Sequence, residues 1–376
     1  KKMVSMALTG TMAVAVLAGA GTSEVKAADK AKIGVLVADV SGEEAQGFRS
    51  YYENYIAGNY DVEFNYTDAL QSAEDEKTAI EKFASQGCQA IISFSSNDRV
   101  QQIETCEKYG VYYAVASGVL DDAQYETYKT YEYFAGQVGP GNDTEFEAGK
   151  DMGAYYKEQG VSKVAIYGAF IPNPMHVYRV AGVLNGLGCT YGGESDMNAI
   201  AGQIFQDQTV DLSKVEGDVE VVSYLQGYGD TTTDELNAAI QKTPDAFISV
   251  GMATTFFAQS LSEAGISFSD IDSFTETNGN SMKNGTLTYL AGKYSSSIGP
   301  VFALVMNAIN GNVIRDEDGN APSISQGYLV ATDSDTFDKY SVSDSGDAPI
   351  YDKETLDSII GDNVTFEDVK TLVESK

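Results

Sequence analysis

Apolar residues fall into two alternating arrangements along most of the chain: short unbroken runs, and longer stretches with helical spacing. "KIGVLVA" (32 to 38) is a near-continuous apolar run, as expected of a strand covered on both faces. Ala45, Phe48, Tyr52 and Ile56 then recur at the interval that places them on one side of a helix. "VEFNYT" (62 to 67) alternates as a strand, and Ser72 with Asp75 reads as the cap of a helix that carries Ile80 and Phe83 and stops at Gly87. "AIISFS", a helical face of Val100, Ile103 and Tyr109, and "VYYAVAS" continue the series. Strand and helix in strict alternation predict βαβ units, hence a parallel sheet with helices on both faces.

The pattern resumes after "GQVGPGND". A helix is predicted near 143 to 158, followed by strand "KVAIY", a helix within "PMHVYRVAGVLNGL", strand "VEVVSY", a helix with Leu236 and Ile240, strand "AFISV", and a helix with Phe257 and Leu261. This is a second sheet. The halves echo each other, since "QAIISFSSNDRVQQIETCEKYGV" (89 to 111) and "DAFISVGMATTFFAQSLSEAGIS" (245 to 267) share strand, polar turn, helix and a closing Gly. The stretch from "GTLTYLAGKYSSSIGP" through Phe302, Val305 and Ile309 to "GYLVA" supplies late pieces for both lobes. From Thr332 an acidic tail with two short helices is expected, the second starting at Thr365 with Asp368 in a capping position.

The 376 residues suffice for two sizeable cores. Lys1 and Lys2 precede an apolar stretch from Met3 to Ala20, and Val25-Lys26-Ala27 before Ala28 forms a small-x-small site, so residues 1–27 read as a signal peptide of an exported protein. Leu17-Ala18-Gly19-Ala20 also matches a bacterial lipoprotein signal, with Ala20 where a lipidated cysteine would stand. No other stretch is long and apolar enough to span a bilayer.

The formal net charge is −31, and it becomes −33 once Lys1, Lys2, Lys26 and Glu24 leave with the signal. A nucleic acid or an anionic membrane surface would be repelled. Cys88, Cys106 and Cys189 are too scattered for a disulfide framework; Cys88 and Cys106 read as buried thiols, although export permits one bridge. With no CxxC and no Cys/His cluster, no metal site is expected.

In open parallel sheets a ligand sits beyond the carboxyl ends of the strands, where this chain places hydroxyls, amides and a few carboxylates with aromatic rings close by. Such residues also serve ordinary turn chemistry. Enzyme signatures are missing. The one histidine, His176, has no G-x-S-x-G elbow to accompany it, "GAGTSE" (19 to 24) lies in the signal region, and "GQVGPG" (136 to 141) lacks the Lys-Ser/Thr of a phosphate loop. Arg99 and Arg179 stand near helix starts just beyond strand-end loops, where a guanidinium can fork onto a ligand or brace the helix. The loop 168 to 176 holds Pro172 and Pro174, which stiffen it before a ligand arrives.

Over residues 32 to 331 the chain resembles the sugar-binding branch of the type I periplasmic binding proteins, the solute receptors of ABC importers. The resemblance rests on "KIGVLVADVSG", "KFASQGCQAIISFSSND", "FAGQVGPGNDTEFEAGKDMGAYY", "KVAIYGAFIPNPMHVYRVAGVLNGL", "TPDAFISVGMATTFFAQSLSEAG" and "GTLTYLAGKYSSSIGPVFALVMNAINGN", in that order. It implies two Rossmann-like lobes joined by three crossover strands, plus a short C-terminal helical tail, with no catalysis and no cofactor. The lobes would comprise 32–137 with 293–325 and 138–292 with 326–335, and the acidic tail 336–376. Carried over by position, the ligand contacts would be Phe48, Ser96, Asn97 and Asp98, Gln137, and Phe170, Asn173 and His176 in the proline loop. On the later strands they would be Gln226, Tyr228, Thr254 with Met252 nearby, Asn278, Lys293 and Tyr294. The family's Arg before the matching helix and its Asp after the matching strand are replaced here by "PNPMHV" and "GMATT". The resemblance therefore implies a monomeric receptor for a small polar ligand, a sugar first and a nucleoside as the alternative, delivered to an ABC permease. A receptor for a membrane signalling protein, which the acidic tail would contact, is the second reading, and a secreted enzyme the third.

Overall fold

The computed structural model describes residues 30–344 and 348–376. The signal segment and Ala20 lie outside the described residues. Strands β1 (Ala31–Leu36), β2 (Val62–Tyr66), β3 (Ala90–Ser93), β4 (Tyr112–Ala116) and β5 (Phe134–Gly139) alternate with helices, as their apolar runs predict. β6 (Lys163–Tyr167) opens the second series. A small antiparallel hairpin of β7 (Thr190–Tyr191) and β8 (Val215–Glu216) comes next, then β9 (Glu220–Leu225), β10 (Ala246–Ser249), β11 (Ser267–Ser273) and β12 (Leu287–Lys293). Two short late strands, β13 (Ser323–Ser325) and β14 (Leu329–Ala331), complete the set.

These strands form two six-stranded sheets, in the orders β13-β5-β4-β3-β1-β2 and β14-β12-β11-β10-β6-β9. Every pairing in the first sheet is parallel, and in the second only β14 runs antiparallel, against β12. All four residues of β3 and of β10 are buried, the signature of strands covered on both faces. The chain passes between the lobes after β5, after β12 and between β13 and β14. It returns a fourth time in the C-terminal segment. There the helix Ser334–Asp344 puts Phe337 into the second lobe's core, whereas Tyr351, Leu356 and Val369 are fully buried in the first.

The segment expected as an acidic tail with two short helices therefore holds three, Ser334–Asp344, Lys353–Asp357 and Phe366–Glu374, and it is built into both cores. The capping box read at Thr365 and Asp368 is present. Its anchors are polar as well as apolar. The Asp344 carboxylate accepts from the Ser296 amide at 2.9 Å and from its hydroxyl, Tyr51 Oη donates to the Tyr351 carbonyl at 2.6 Å, and Asn307 Nδ2 donates to the Ile359 carbonyl at 2.8 Å.

Two helices of the second lobe, Asn142–Glu158 and Pro174–Gly186, run in the same direction in backbone contact. A Cβ on Gly149 would lie 2.0 Å from the Arg179 carbonyl oxygen, and one on Gly182 would lie 2.0 Å from that of Phe146. Only glycine permits this approach, which aligns the starts of both helices at the same edge of the lobe. Cys88, Cys106 and Cys189 are all buried free thiols, and among the described residues no helix is long and apolar enough to cross a membrane.

Candidate functional site

A cavity of about 860 Å³ lies between the lobes. From the first lobe its walls are Asp39 beyond β1, Tyr66 at the end of β2, Ser96 beyond β3, Ser117 beyond β4 and Pro140 beyond β5, which is the carboxyl edge of the sheet. The second lobe contributes the starts of the two glycine-packed helices, with Asp143, Glu145, Asn173 and Tyr178, and also Phe205 from the helix Met197–Asp207. The rings of Phe48 and Phe94 stack at 5.4 Å in the first-lobe wall.

Of the residues expected from sequence, the cavity brings together Phe48, Ser96, Gln137, Asn173 and Lys293. Gln137 is buried and already engaged, accepting from the Leu120 amide at 2.8 Å and donating to Ser323 Oγ at 2.7 Å. Asn173 caps the helix behind it, its Oδ1 accepting from the Met175 amide at 3.1 Å, so it has a structural task beside any ligand contact. Lys293 Nζ lies 3.9 Å from Glu44.

The other expected residues do not line this cavity. Asn97 turns its amide to Glu76 at 3.1 Å, and Asp98 caps the helix Arg99–Tyr109 through the Gln101 amide at 3.0 Å. His176 is buried, with Nδ1 accepting from the Phe170 amide at 3.2 Å. Burial and the Arg179 charge pull its pKa down to about 4, so it is a neutral internal residue. Asn278 donates to the Ser273 carbonyl at 2.8 Å and to Asp272 at 3.2 Å, and Tyr294 lies parallel to Tyr351 of the C-terminal segment. Gln226 donates to the Gln208 carbonyl at 3.1 Å, and Thr254 is buried at the start of the helix Ala253–Ala264. Gln226 Oε1, Thr254 Oγ1 and Asn278 Oδ1 are buried without a partner.

Phe170 and Tyr228 belong to a separate aromatic group at the strand ends of the second lobe. Tyr228 is 69% exposed, stacks parallel on Phe256 at 5.9 Å and meets Phe170 edge-on at 5.6 Å. The cavity takes in the second lobe mainly along its 142–145 and 173–178 edge, and that is why the loops after β9 and β10 stay outside it.

The charged groups are arranged around two braces. Glu145 is buried and forms a two-pronged pair with Arg179, at 2.6 Å from Nε and 3.3 Å from Nη2, while Arg179 also donates to the Val250 carbonyl at 2.8 Å and to Tyr328 Oη at 2.6 Å. Burial alone would lower the Arg179 pKa, but Glu145 and Tyr328 outweigh it and hold it above the ordinary value. On the first lobe, Glu76 accepts from Ser95 Oγ at 2.5 Å, from the Asn97 and Asp98 amides at 2.9 Å each, and from the Asn97 side chain. That carboxylate pins the loop after β3. Two further carboxylates join the lobes, with Thr277 Oγ1 donating to Glu43 at 2.6 Å and Ser273 Oγ donating to Glu44.

Tyr66, Phe94, Arg99, Tyr178 and Phe205 also line the cavity, outside the contacts expected from sequence. Arg99 had the signal of its place at a helix start, and Tyr66 ends a readable strand. Tyr178 and Phe205 gave none, since their approach depends on how two helices pack. Three non-glycine residues with left-handed φ, Ser117 (56°), Ala169 (51°) and Met252 (67°), stand just beyond β4, β6 and β10, which is strain concentrated at the edge where ligands bind in such sheets.

No family model matches the sequence, and no curated protein matches it. Solved structures do match in fold. The periplasmic binding protein component of the arabinose ABC transporter from Shewanella sp. ANA-3, bound to α- and β-L-arabinofuranose, is 16% identical with a TM-score of 0.57, covering 82% of this chain and 93% of that one. An ABC transporter solute-binding protein from Bacillus halodurans C-125 with bound myo-inositol is 17% identical with a TM-score of 0.57, over 84% and 98%. A periplasmic solute-binding protein from Actinobacillus succinogenes 130z with bound D-allose is 16% identical with a TM-score of 0.62, over 83% and 100%. The two-lobed fold expected from the sequence is the fold these proteins share with this chain.

Proposed function

We propose that the protein is an exported solute receptor that captures a small polar ligand, a sugar first of all, between its lobes and delivers it as a monomer to an ABC permease. The observation that carries this reading is the cavity of about 860 Å³ at the carboxyl edge of a parallel sheet, walled by Phe48, Phe94 and Tyr66 beside hydroxyls and amides. Flat apolar rings with a few fixed polar groups suit a sugar, whose faces are apolar and whose rim is all hydroxyl. Similarity in fold to receptors with bound L-arabinofuranose, myo-inositol and D-allose supports the same class of ligand. Hinge closure would bring the exposed Tyr228 and Phe170 toward the ligand, and the closed shape is what a permease would recognise.

The second reading is a receptor for a membrane signalling protein, with the acidic segment beyond 332 as the surface that contacts it. The C-terminal segment is instead packed into both cores, and nothing favours that reading. The test is a thermal-shift screen of the chain against pentoses, hexoses, cyclitols, nucleosides and the uronic and aldonic acids of the same sugars, followed by isothermal titration. A ligand at a hundredfold excess over its dissociation constant stabilises by about 2.7 kcal/mol, a clear shift in melting temperature. If no compound in the screen moves the melting curve, the receptor reading is wrong.

A further inference from the structure

Arg99 opens the helix Arg99–Tyr109, and its guanidinium sits in the cavity wall beneath the turn that follows β4. Nη1 donates to the Val119 carbonyl at 2.5 Å. A Cβ on Gly118 would stand 3.0 Å from Nη2, so that glycine leaves the space the guanidinium occupies. Nε is buried and has no acceptor. The remaining described arginines have acceptors to hand: Arg49 has Glu53 at 3.0 Å, Arg179 has Glu145 at 2.6 Å, and Arg315 donates to the carbonyls of Phe134, Tyr131 and Glu132. Glu76 acts on Arg99 electrostatically, yet its oxygens are taken by the loop after β3 and it forms no ion pair with Arg99. Burial lowers the Arg99 pKa, as a cation short of compensation requires. On the same wall Tyr66 Oη is also buried without a partner.

We propose that Arg99 selects an anionic group, and that the ligand is a carboxylate-bearing sugar, a uronic or aldonic acid, with its carboxylate set toward Arg99 on the first-lobe wall. This rests on the receptor reading above and narrows it. A hydroxyl accepts a hydrogen bond from a guanidinium but leaves its charge in place; a carboxylate accepts two and cancels the charge. The cavity also carries six carboxylates, and they argue the other way; two of them, Glu145 and Glu44, are engaged with Arg179 and with Ser273. Asp39 is held by the Ser41 and Gly42 amides at 2.9 and 3.0 Å, and Asp121 by the Gln124 amide at 2.8 Å, so both are committed to their own turns. Asp122 and Asp143 are exposed in the first turns of helices, where water and salt screen them. Arg99 is half-buried with its Nε shielded from water, and a charge interaction is stronger there than at the exposed helix starts, so the short-range demand of the guanidinium prevails.

The competing account is that Arg99 only braces the 117–119 turn through Val119, whose neighbour Ser117 is held at φ 56°. Isothermal titration of the full chain with matched pairs separates the two: D-glucuronate against D-glucose, D-galacturonate against D-galactose, and L-arabinonate against L-arabinose. At pH 7 at least one acid is expected to bind about tenfold or more tightly than its neutral parent, with the preference weakening in added salt. Arg99→Gln is expected to abolish the preference and Arg99→Lys to keep part of it. Should Arg99→Gln not fold, Gly118→Ala, which crowds the guanidinium but leaves it in place, is expected to weaken the acid more than the parent. Neutral parents binding as tightly as their acids in every pair overturn the inference and leave the receptor reading standing, and so does a preference untouched by Arg99→Gln. If neither class binds, both readings fall.

Discussion

Alanine at Gly182 sets two effects of one methyl group against each other. In an open helical position, Gly→Ala stabilises by about 0.5–1 kcal/mol, because alanine favours the helix and restricts the unfolded chain. Gly202, within the helix Met197–Asp207, is such a position: a Cβ there meets nothing within 4 Å. At Gly182 the same Cβ lies 2.0 Å from the Phe146 carbonyl oxygen and 2.8 Å from the Lys150 amide nitrogen. Both are backbone atoms, so no side chain can swing aside and the two helices must move apart until the contact exceeds 3.0 Å. Their separation also loosens the seat of Gly149 against Arg179 and of Gly186 against Lys150. Overpacking costs about 1–3 kcal/mol, and a 2.0 Å approach to backbone puts this site in the upper half of that range, about 2–3; the propensity gain offsets about 1, and a net loss of about 1–2 kcal/mol is expected. Guanidinium unfolding followed by circular dichroism should move the midpoint down for Gly182→Ala and up for Gly202→Ala with the slope unchanged. A Gly182→Ala protein as stable as the parent would refute the backbone-contact reasoning.

Three further outcomes follow from the site. Arg179→Met leaves buried Glu145 and Tyr328 without their donor and is expected to cost about 3–5 kcal/mol in the same unfolding assay, part of which Glu145→Gln in the same chain recovers. His176 has a folded pKa near 4 against 6.5 for the free side chain, so the unfolded state takes up the proton first and stability is lost as pH falls from 6.5 toward 4, by about 3 kcal/mol at the lower end; melting curves across that window should flatten in His176→Gln. Asn173→Ala removes a helix cap and is expected to cost about 1 kcal/mol of stability, so a weaker ligand affinity in titration counts as a binding effect only if it exceeds what that loss of cap explains.

The strands that could be read from sequence are unbroken apolar runs or, as in β2, regular alternations of apolar and polar residues. β1, β3, β4 and β6 are apolar runs covered on both faces, and the run alone identifies them. β11, "SFSDIDS", gives no such signal, because Ser269 and Asp270 are fully buried within it. Asp270 is accommodated by Ser249 Oγ at 2.9 Å and the Thr254 amide at 3.2 Å, and burial, with Asp272 beside it, pushes its pKa up. Its partners come from β10 and the helix after it, so the acceptability of an aspartate in that strand is decided by another segment. The acidic C-terminal segment misled for a related reason. Most of its charge faces water while buried Asp344 and the widely spaced Tyr351, Leu356, Val369 and Val373 anchor it to the body of the protein.

At the cavity, sequence supplies the inventory of polar side chains at the strand ends, and folding decides which of them are already taken. Asn97 and Asp98 follow β3 and carry the right chemistry, yet Glu76, about twenty residues earlier, draws the Asn97 side chain and both amides to itself, and Asp98 spends its carboxylate on a helix cap. Asn278 is held by the end of its own strand, and Tyr294 by a tyrosine that arrives with the last pass of the chain. Arg99 is the reverse case. It looked as serviceable for bracing as for binding, and what distinguishes it is a partner that never comes: every other described guanidinium meets a carboxylate or several carbonyls, while this one keeps a buried donor unmatched at the wall of the cavity. A buried donor without an acceptor costs about 1–3 kcal/mol, more when charged, and a carboxylate drawn to the same guanidinium offsets that cost through its charge.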